Sequence, residues 1–215
     1  MKPILFSTPI VQAILDGRKT QTRRVANIKI PLRENSTIGT CTFNDTGFSE
    51  WENGSRCLCQ NTVKPIYKVG DILYVREAWG LAPNMTLKNI IADDLIFKTD
   101  KDARRVKKWK PSIHMPKTHA RLFLKVTNVR VERLQDITFE DIFNEGFNGK
   151  IADYFINTRY KDPAITATTP KEKEILNWWI NLWNSINGED AWKENPYVFV
   201  YEFARISKEE STHER

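Results

Sequence analysis

The alternation between Arg121 and Leu134 constrains the fold most. Leu122, Leu124 and Val126 occupy every second position, with polar residues between them. That is the period of a strand with one buried face. Beyond Val126 the phase slips by one, and Val129 and Val131 become the apolar alternates. A strand changes face only by gaining a residue or reversing, so the slip predicts a bulge or a hairpin at Thr127-Asn128.

Other segments supply what such a strand packs against. Thr8 is the expected N-cap of a first helix, Pro9 suits its first turn, and Gly17 suits the left-handed residue after it. Ile72 to Glu77 follows the turn signal Val69-Gly70-Asp71 and reads as a strand. A further short strand is expected near Leu95-Ile96-Phe97. Thr138 is placed to cap a short helix that stops at Gly146. Thr169-Pro170-Lys171-Glu172 is a capping-box start for a longer helix. Ile175, Leu176, Trp179, Leu182 and Trp183 form that helix's apolar stripe, and the tryptophans Trp178, Trp179 and Trp183 read as core packing. Tyr197 to Phe203 reads as a final strand with Val198, Val200 and Glu202 on one side. Together these predict a mixed α+β domain with a curved, mostly antiparallel sheet. One domain is expected over residues 1–206, with loop-like insertions near 28–66, 80–118 and 148–169, and a polar tail at 207–215.

The 215-residue chain is long enough to bury a core without disulfides. It carries 33 basic and 27 acidic residues, a net +6 that permits a polyanionic partner without requiring one. No run of about 18 apolar residues suggests a membrane span, and the first apolar stretch is broken by Ser7, Thr8 and Pro9. The three cysteines Cys41, Cys57 and Cys59 read as reduced thiols, so a cytoplasmic location is expected. Cys57-Leu58-Cys59 has the wrong spacing for a structural zinc site. Neither a metal nor a cofactor is expected.

Gly17-Arg18-Lys19-Thr20-Gln21-Thr22-Arg23-Arg24 is the densest chemical feature. If extended, it places Arg18, Thr20, Thr22 and Arg24 on one face and Lys19, Gln21 and Arg23 on the other. A turn at Lys19-Thr20 would instead bring Lys19 towards Thr22. A lysine acts as a base near neutral pH only when burial or neighbouring cations lower its pKa. Arg18, Arg23 and Arg24 offer such repulsion, and a neutral Lys19 would then take the proton of Thr22. A distant carboxylate must hold the pair, and Glu145 and Glu77 are the candidates. The competing reading is a solvated basic loop at the negative end of the first helix.

A further basic segment suits nucleic acid. Lys101 to Lys110 holds six basic residues and one acid, with Trp109 among them. This run could contact phosphates while Trp109, or Trp79, stacks on a base, or it could be a charged surface loop. His114 lies between Pro111 and Pro116, which stiffen its segment, but no partner for it is evident.

The Gly17–Arg24 segment resembles the signature of the ASCH domain, a branch of the PUA-like superfamily. Val69-Gly70-Asp71-Ile72-Leu73-Tyr74-Val75-Arg76-Glu77 looks like that family's G-D-x-L-x-V-R-E strand. Val129 to Thr138, Glu145-Gly146-Phe147, Leu182 to Gly188 and Asn195 to Val198 resemble a longer form frequent in bacteriophages and prophages. The resemblance implies a small β-barrel with flanking helices and a cleft beside the basic segment. It implies recognition of RNA or modified bases. In compact members it implies an amidohydrolase that removes the acyl group from N4-acetylcytidine. The family's Lys, Thr and Glu match Lys19, Thr22 and Glu145, and a family basic position matches Arg24. The insertions distinguish this chain from those compact enzymes.

Three functions are therefore carried forward. In the first, Thr22 attacks an amide carbonyl on a modified nucleobase, Lys19 activates it, Glu145 relays the proton, and Arg24 or Arg76 steadies the oxyanion. In the second, the domain binds RNA or single-stranded DNA without catalysis: Lys19, Arg23, Arg24 and the Lys101 to Lys110 run contact phosphates and Trp109 or Trp79 stacks, with Arg18, Arg76, Glu77 and His114 as further nucleic-acid- or substrate-binding candidates. The third is a structural or assembly role in phage biology.

Overall fold

The computed structural model of the chain describes residues 1–26, 42–43, 49–50, 64–82, 95–148 and 163–213. Most of the expected insertions near 28–66 and 148–169, and residues 83–94 of the middle one, lie outside them, as do all three cysteines.

The chain opens with strand β1 (Lys2–Leu5), helix α1 (Thr8–Leu15) and strand β2 (Gln21–Val25). Two-residue strands β3 (Thr42–Phe43) and β4 (Ser49–Glu50) pair with each other. Strand β5 (Ile72–Arg76) precedes a hairpin of β6 (Trp79–Leu81) and β7 (Leu95–Phe97). The long strand β8 (Phe123–Arg133) leads into helix α2 (Phe139–Asn144). Helix α3 (Pro170–Asn187), strand β9 (Tyr197–Ile206) and helix α4 (Lys208–His213) complete the order. The polar tail thus forms a helix through residue 213, started by reciprocal bonds between Ser207 and Glu210.

The main sheet runs β1-β5-β8-β9-β2. Only β1 and β5 are parallel, and the other neighbours are antiparallel. The α+β reading with a mostly antiparallel sheet therefore holds. Among the described residues strand pairing does not close it into a barrel: β1 and β2 are its two edges. A side chain spans them instead, because the Arg24 guanidinium donates to the Leu5 carbonyl at 3.1 Å.

The phase slip in β8 is a bulge and not a hairpin. Register with β9 shifts between Val126 and Asn128, and the strand continues to Arg133. Leu122, Leu124 and Val126 stay in one core with Ile4, Val11 and Tyr201, and Val129 and Val131 pack at its margin. The second core joins α2 and α3 to the opposite face of β9, where Ile142, Ile175, Trp179 and Trp183 meet Val198 and Val200. A third lies under the β6–β7 hairpin, around Trp79, Phe97 and Phe123.

The capping signals read correctly, with one displacement. Thr138 and Asp141 form a capping box on α2, and Thr169 and Glu172 form one on α3. The N-cap of α1 is Ser7, one residue before the expected Thr8. Pro9 still falls in its first turn.

Candidate functional site

The basic segment begins where α1 ends. Gly17 takes φ +75°, which turns the chain out of the helix. The amides of Arg18 and Lys19 then donate to the Ala13 carbonyl, and Thr20 N–H donates to Asn144 O at the end of α2. Lys19 forms an isolated antiparallel bridge with Glu145 before β2 begins at Gln21. The residues around Lys19 are thereby strapped to the ends of two helices.

The expected alternation is kept only in part, since Arg18 and Thr20 of the other face also bond Gly146 and Asn144 at the end of α2. Lys19, Gln21 and Arg23 all reach the α2 region, where Gln21 bonds Asp141 and the other two bond Glu145. Lys19 Nζ donates to Glu145 Oε2 at 2.6 Å and to the Glu145 carbonyl at 3.0 Å. Arg23 Nη1 donates to the other carboxylate oxygen at 3.1 Å. Both oxygens of Glu145 are thus fixed. The side chains of Lys19, Glu145 and Arg23 are only 2%, 3% and 0% exposed, so these charges interact away from water.

Burial pushes the Lys19 pKa below the usual lysine value. Glu145 opposes this, and Arg24 and Arg23 add to the depression. Arg18 takes no part: it points to Asp16 and the Gly146 carbonyl, tying the ends of α1 and α2 together. Arg23 has a further duty. Beyond Glu145 it bonds Glu132 and Asp141, and its pKa is raised: burial pulls it down but the three carboxylates outweigh that. Arg130 joins Glu132 and Asp141 from β8. Arg23 is therefore a pivot that holds Glu145, with its donors already engaged.

A cavity of about 580 Å³ opens beside this pair. Lys19, Thr22, Arg23, Arg24 and Glu145 line it, with Phe6 from the β1–α1 link, Tyr67, and Trp179 and Trp183 from α3. Its size and mostly apolar wall are those of a small-molecule site. Thr22 is 2% exposed, and its hydroxyl makes no hydrogen bond among the described residues. Lys19 Nζ and the Arg24 guanidinium both lie over the Phe6 ring, 5.7 and 5.4 Å from its centre. Burial holds the Arg24 pKa below the usual arginine value.

The remaining candidates are dispersed. Arg76 lines the cavity, donating to the Ile113 carbonyl at 3.1 Å. Glu77 does not line it: it is buried against Arg121, which grips both its oxygens, and it bonds Thr99. Of the two carboxylates offered by the sequence, only Glu145 reaches Lys19. Trp79 sits in the third core, with Lys110 over its ring. Trp109 lies outside the cavity beneath Lys98, and His114 is exposed, although its neighbour Ser112 lines the wall.

No family model, curated protein or solved structure matches this chain.

Trp179 and Trp183 are the residues whose site position the sequence obscured. Their spacing marks a core stripe, and they do pack there, yet the same rings form a cavity wall. Asp141 and Glu132, which brace Arg23, carried no local signal, since the contacts span over a hundred residues. Among the described residues no group of three His, Cys, Asp or Glu side chains is arranged to hold a metal. No described helix is long and apolar enough to cross a membrane.

Proposed function

We propose that the chain is a nucleoside-recognising domain of the ASCH type, acting as an amidohydrolase on an N-acylated nucleobase such as that of N4-acetylcytidine. One observation carries the reading. The lysine and glutamate that the resemblance pairs, 126 residues apart, form a buried 2.6 Å contact on the wall of a cavity that also takes Thr22. The sheet's two edges flank that cavity and are spanned by the Arg24–Leu5 contact, whereas the resemblance implies a closed small barrel.

The chemistry follows from the environment. Lys19, with its proton affinity reduced by burial, receives the Thr22 hydroxyl proton directly or through one water. Both side chains line the same cavity. Thr22 Oγ1 bonds to the acyl carbon, and the carbonyl oxygen takes up the charge. Arg24, close enough to depress Lys19, faces that charge. The C–N bond then breaks, and the amine leaves with the proton returned by Lys19. Water hydrolyses the acyl-Thr22 ester and restores the hydroxyl. Glu145 keeps the lysine in place and stabilises its protonated form, while Arg23 keeps Glu145 in place.

The test is incubation of the purified protein with N4-acetylcytidine, following cytidine release. Release that is abolished by Lys19→Ala supports the scheme. No release, or release that survives Lys19→Ala, rejects it.

A further inference from the structure

The cavity has more positive charge than its catalytic pair uses. Lys19 and Arg23 are matched by Glu145, Glu132 and Asp141. Arg24 and Arg76 also line the wall, and among the described residues neither hydrogen-bonds a carboxylate. Arg76 is half-buried; its terminal nitrogens donate to the Ile113 carbonyl and the Tyr74 hydroxyl, and its buried Nε has no acceptor among the described residues. A buried guanidinium N–H without a partner is uncommon, and points to an acceptor supplied from outside the protein.

Topology brings these groups to one place. Leu5, the last residue of β1, lies in register with Arg76 on the parallel strand β5. Its carbonyl accepts from Arg24 on the other sheet edge. Two residues on, Ser7 starts α1, and its side chain makes no capping bond. The first turn of α1 contains no acidic residue. The positive end of a helix therefore follows a strand end flanked by two guanidinium groups, with Leu5, Phe6, Ser7 and Ser112 on the same cavity wall. Arg24 and Lys19 both lie over the Phe6 ring of this wall.

We infer that this corner is a phosphate subsite, formed by Arg76 and the N-terminus of α1, so that the substrate is a nucleotide unit and not a free nucleoside. This rests on the cavity being the substrate site. The phosphate is either the 5′-monophosphate of a mononucleotide or a backbone phosphate of single-stranded RNA. Both present acceptors without donors, which suits guanidinium groups that no carboxylate hydrogen-bonds among the described residues.

Binding tests this without requiring turnover. Cytidine, cytidine 5′-monophosphate and a short oligocytidylate with a 5′-hydroxyl end are titrated by calorimetry at low and moderate salt. A phosphorylated ligand should bind about tenfold or more tightly than cytidine, as expected for charge-assisted hydrogen bonds to a phosphate. Tighter binding of the monophosphate assigns the subsite to a mononucleotide, and tighter binding of the oligomer assigns it to a strand. Arg76→Gln should bring the ratio of phosphorylated to unphosphorylated affinity close to one. Ser112→Asp, which places a negative charge on the same wall, should lower it further. Equal affinities for all three ligands in the parent protein, or a ratio untouched by both variants, would overturn the inference. If the phosphate preference holds but N4-acetylcytidine and its 5′-monophosphate are not hydrolysed, the amidohydrolase reading fails alone. If they are hydrolysed at equal kcat/KM, the subsite fails alone.

Discussion

Lys19 and Glu145 form a 2.6 Å ion pair with side chains only 2% and 3% exposed, bridging the end of α1 to the end of α2. A pair this deep is costly to assemble, because both charges leave water. Its stability and its chemistry should therefore separate. Glu145→Gln leaves Lys19 buried without a counter-charge and should cost about 3–5 kcal/mol in urea unfolding. The double variant Lys19→Met/Glu145→Leu should recover most of that loss, since apolar replacements of a buried pair are often tolerated. Both variants should be inactive. A double variant as unstable as Glu145→Gln would mean that the pair is needed for folding.

Acid–base behaviour follows from the depressed Lys19 pKa. Activity should rise with pH along a limb that ends below the ordinary lysine value of 10.5. Arg24→Gln removes a cation that depresses Lys19, so the limb should move to higher pH. Stability gives an independent sign. The folded value lies below the unfolded one, so between the two the unfolded chain binds more protons. Stability relative to Lys19→Met should therefore increase as pH rises through that window towards 10.5. Urea melts of the two proteins across this range measure the difference. A falling difference would show that Glu145 dominates over burial.

The local grammar of the fold was legible, and its closure was not. Capping boxes at Thr138 and Thr169 act within four residues, so sequence alone reveals them. The bulge after Val126 was legible because a change of face leaves a mark in the alternation. Along Lys19, Gln21 and Arg23 the alternation also indicated which side chains share a face. Glu145 became a site candidate through its position after a short helix and through the resemblance. Sequence could not choose between it and Glu77, because both end an element and both become buried. The choice depends on which strand lies at the sheet edge beside α2, a matter of long-range pairing. The same limit hid the brace of Glu132 and Asp141 on Arg23 and the span from Arg24 to Leu5.

Thr22 offers a cleaner separation of function from stability. Its hydroxyl has no hydrogen-bond partner among the described residues, although the residue is only 2% exposed. Thr22→Val keeps the shape and removes an oxygen that satisfies nothing in the fold. The melting temperature should stay within a few degrees, for a change on the order of 1 kcal/mol or less, because no intramolecular hydrogen bond among the described residues is lost. Hydrolysis should be lost, and Thr22→Ser should retain part of it. With a slowly hydrolysed acyl substrate, mass spectrometry should find the acyl mass on the peptide carrying Thr22. Full turnover by Thr22→Val would assign the attack to water.

Gly146 tests whether the backbone around the pair matters to turnover. It follows the last turn of α2 at φ +104°, a conformation that side chains rarely adopt. A Cβ there would lie 2.8 Å from Ala13 Cβ and 3.3 Å from Lys19 Cβ. Neither neighbour moves freely: Lys19 N–H donates to the Ala13 carbonyl, and Arg18 holds the Gly146 carbonyl at 2.7 Å. Gly146→Ala should therefore destabilise the protein by about 1–3 kcal/mol and push Lys19 away from Glu145. Its kcat should fall more than KM rises, because the displaced group acts in the chemical step. Adding Ala13→Gly removes the closer clash but not the strained φ. That pair should regain kcat while remaining less stable than the parent, since glycine inside a helix costs about 1 kcal/mol. Unchanged kcat in Gly146→Ala, with the melting temperature lowered, would show that Lys19 tolerates displacement and is not the base.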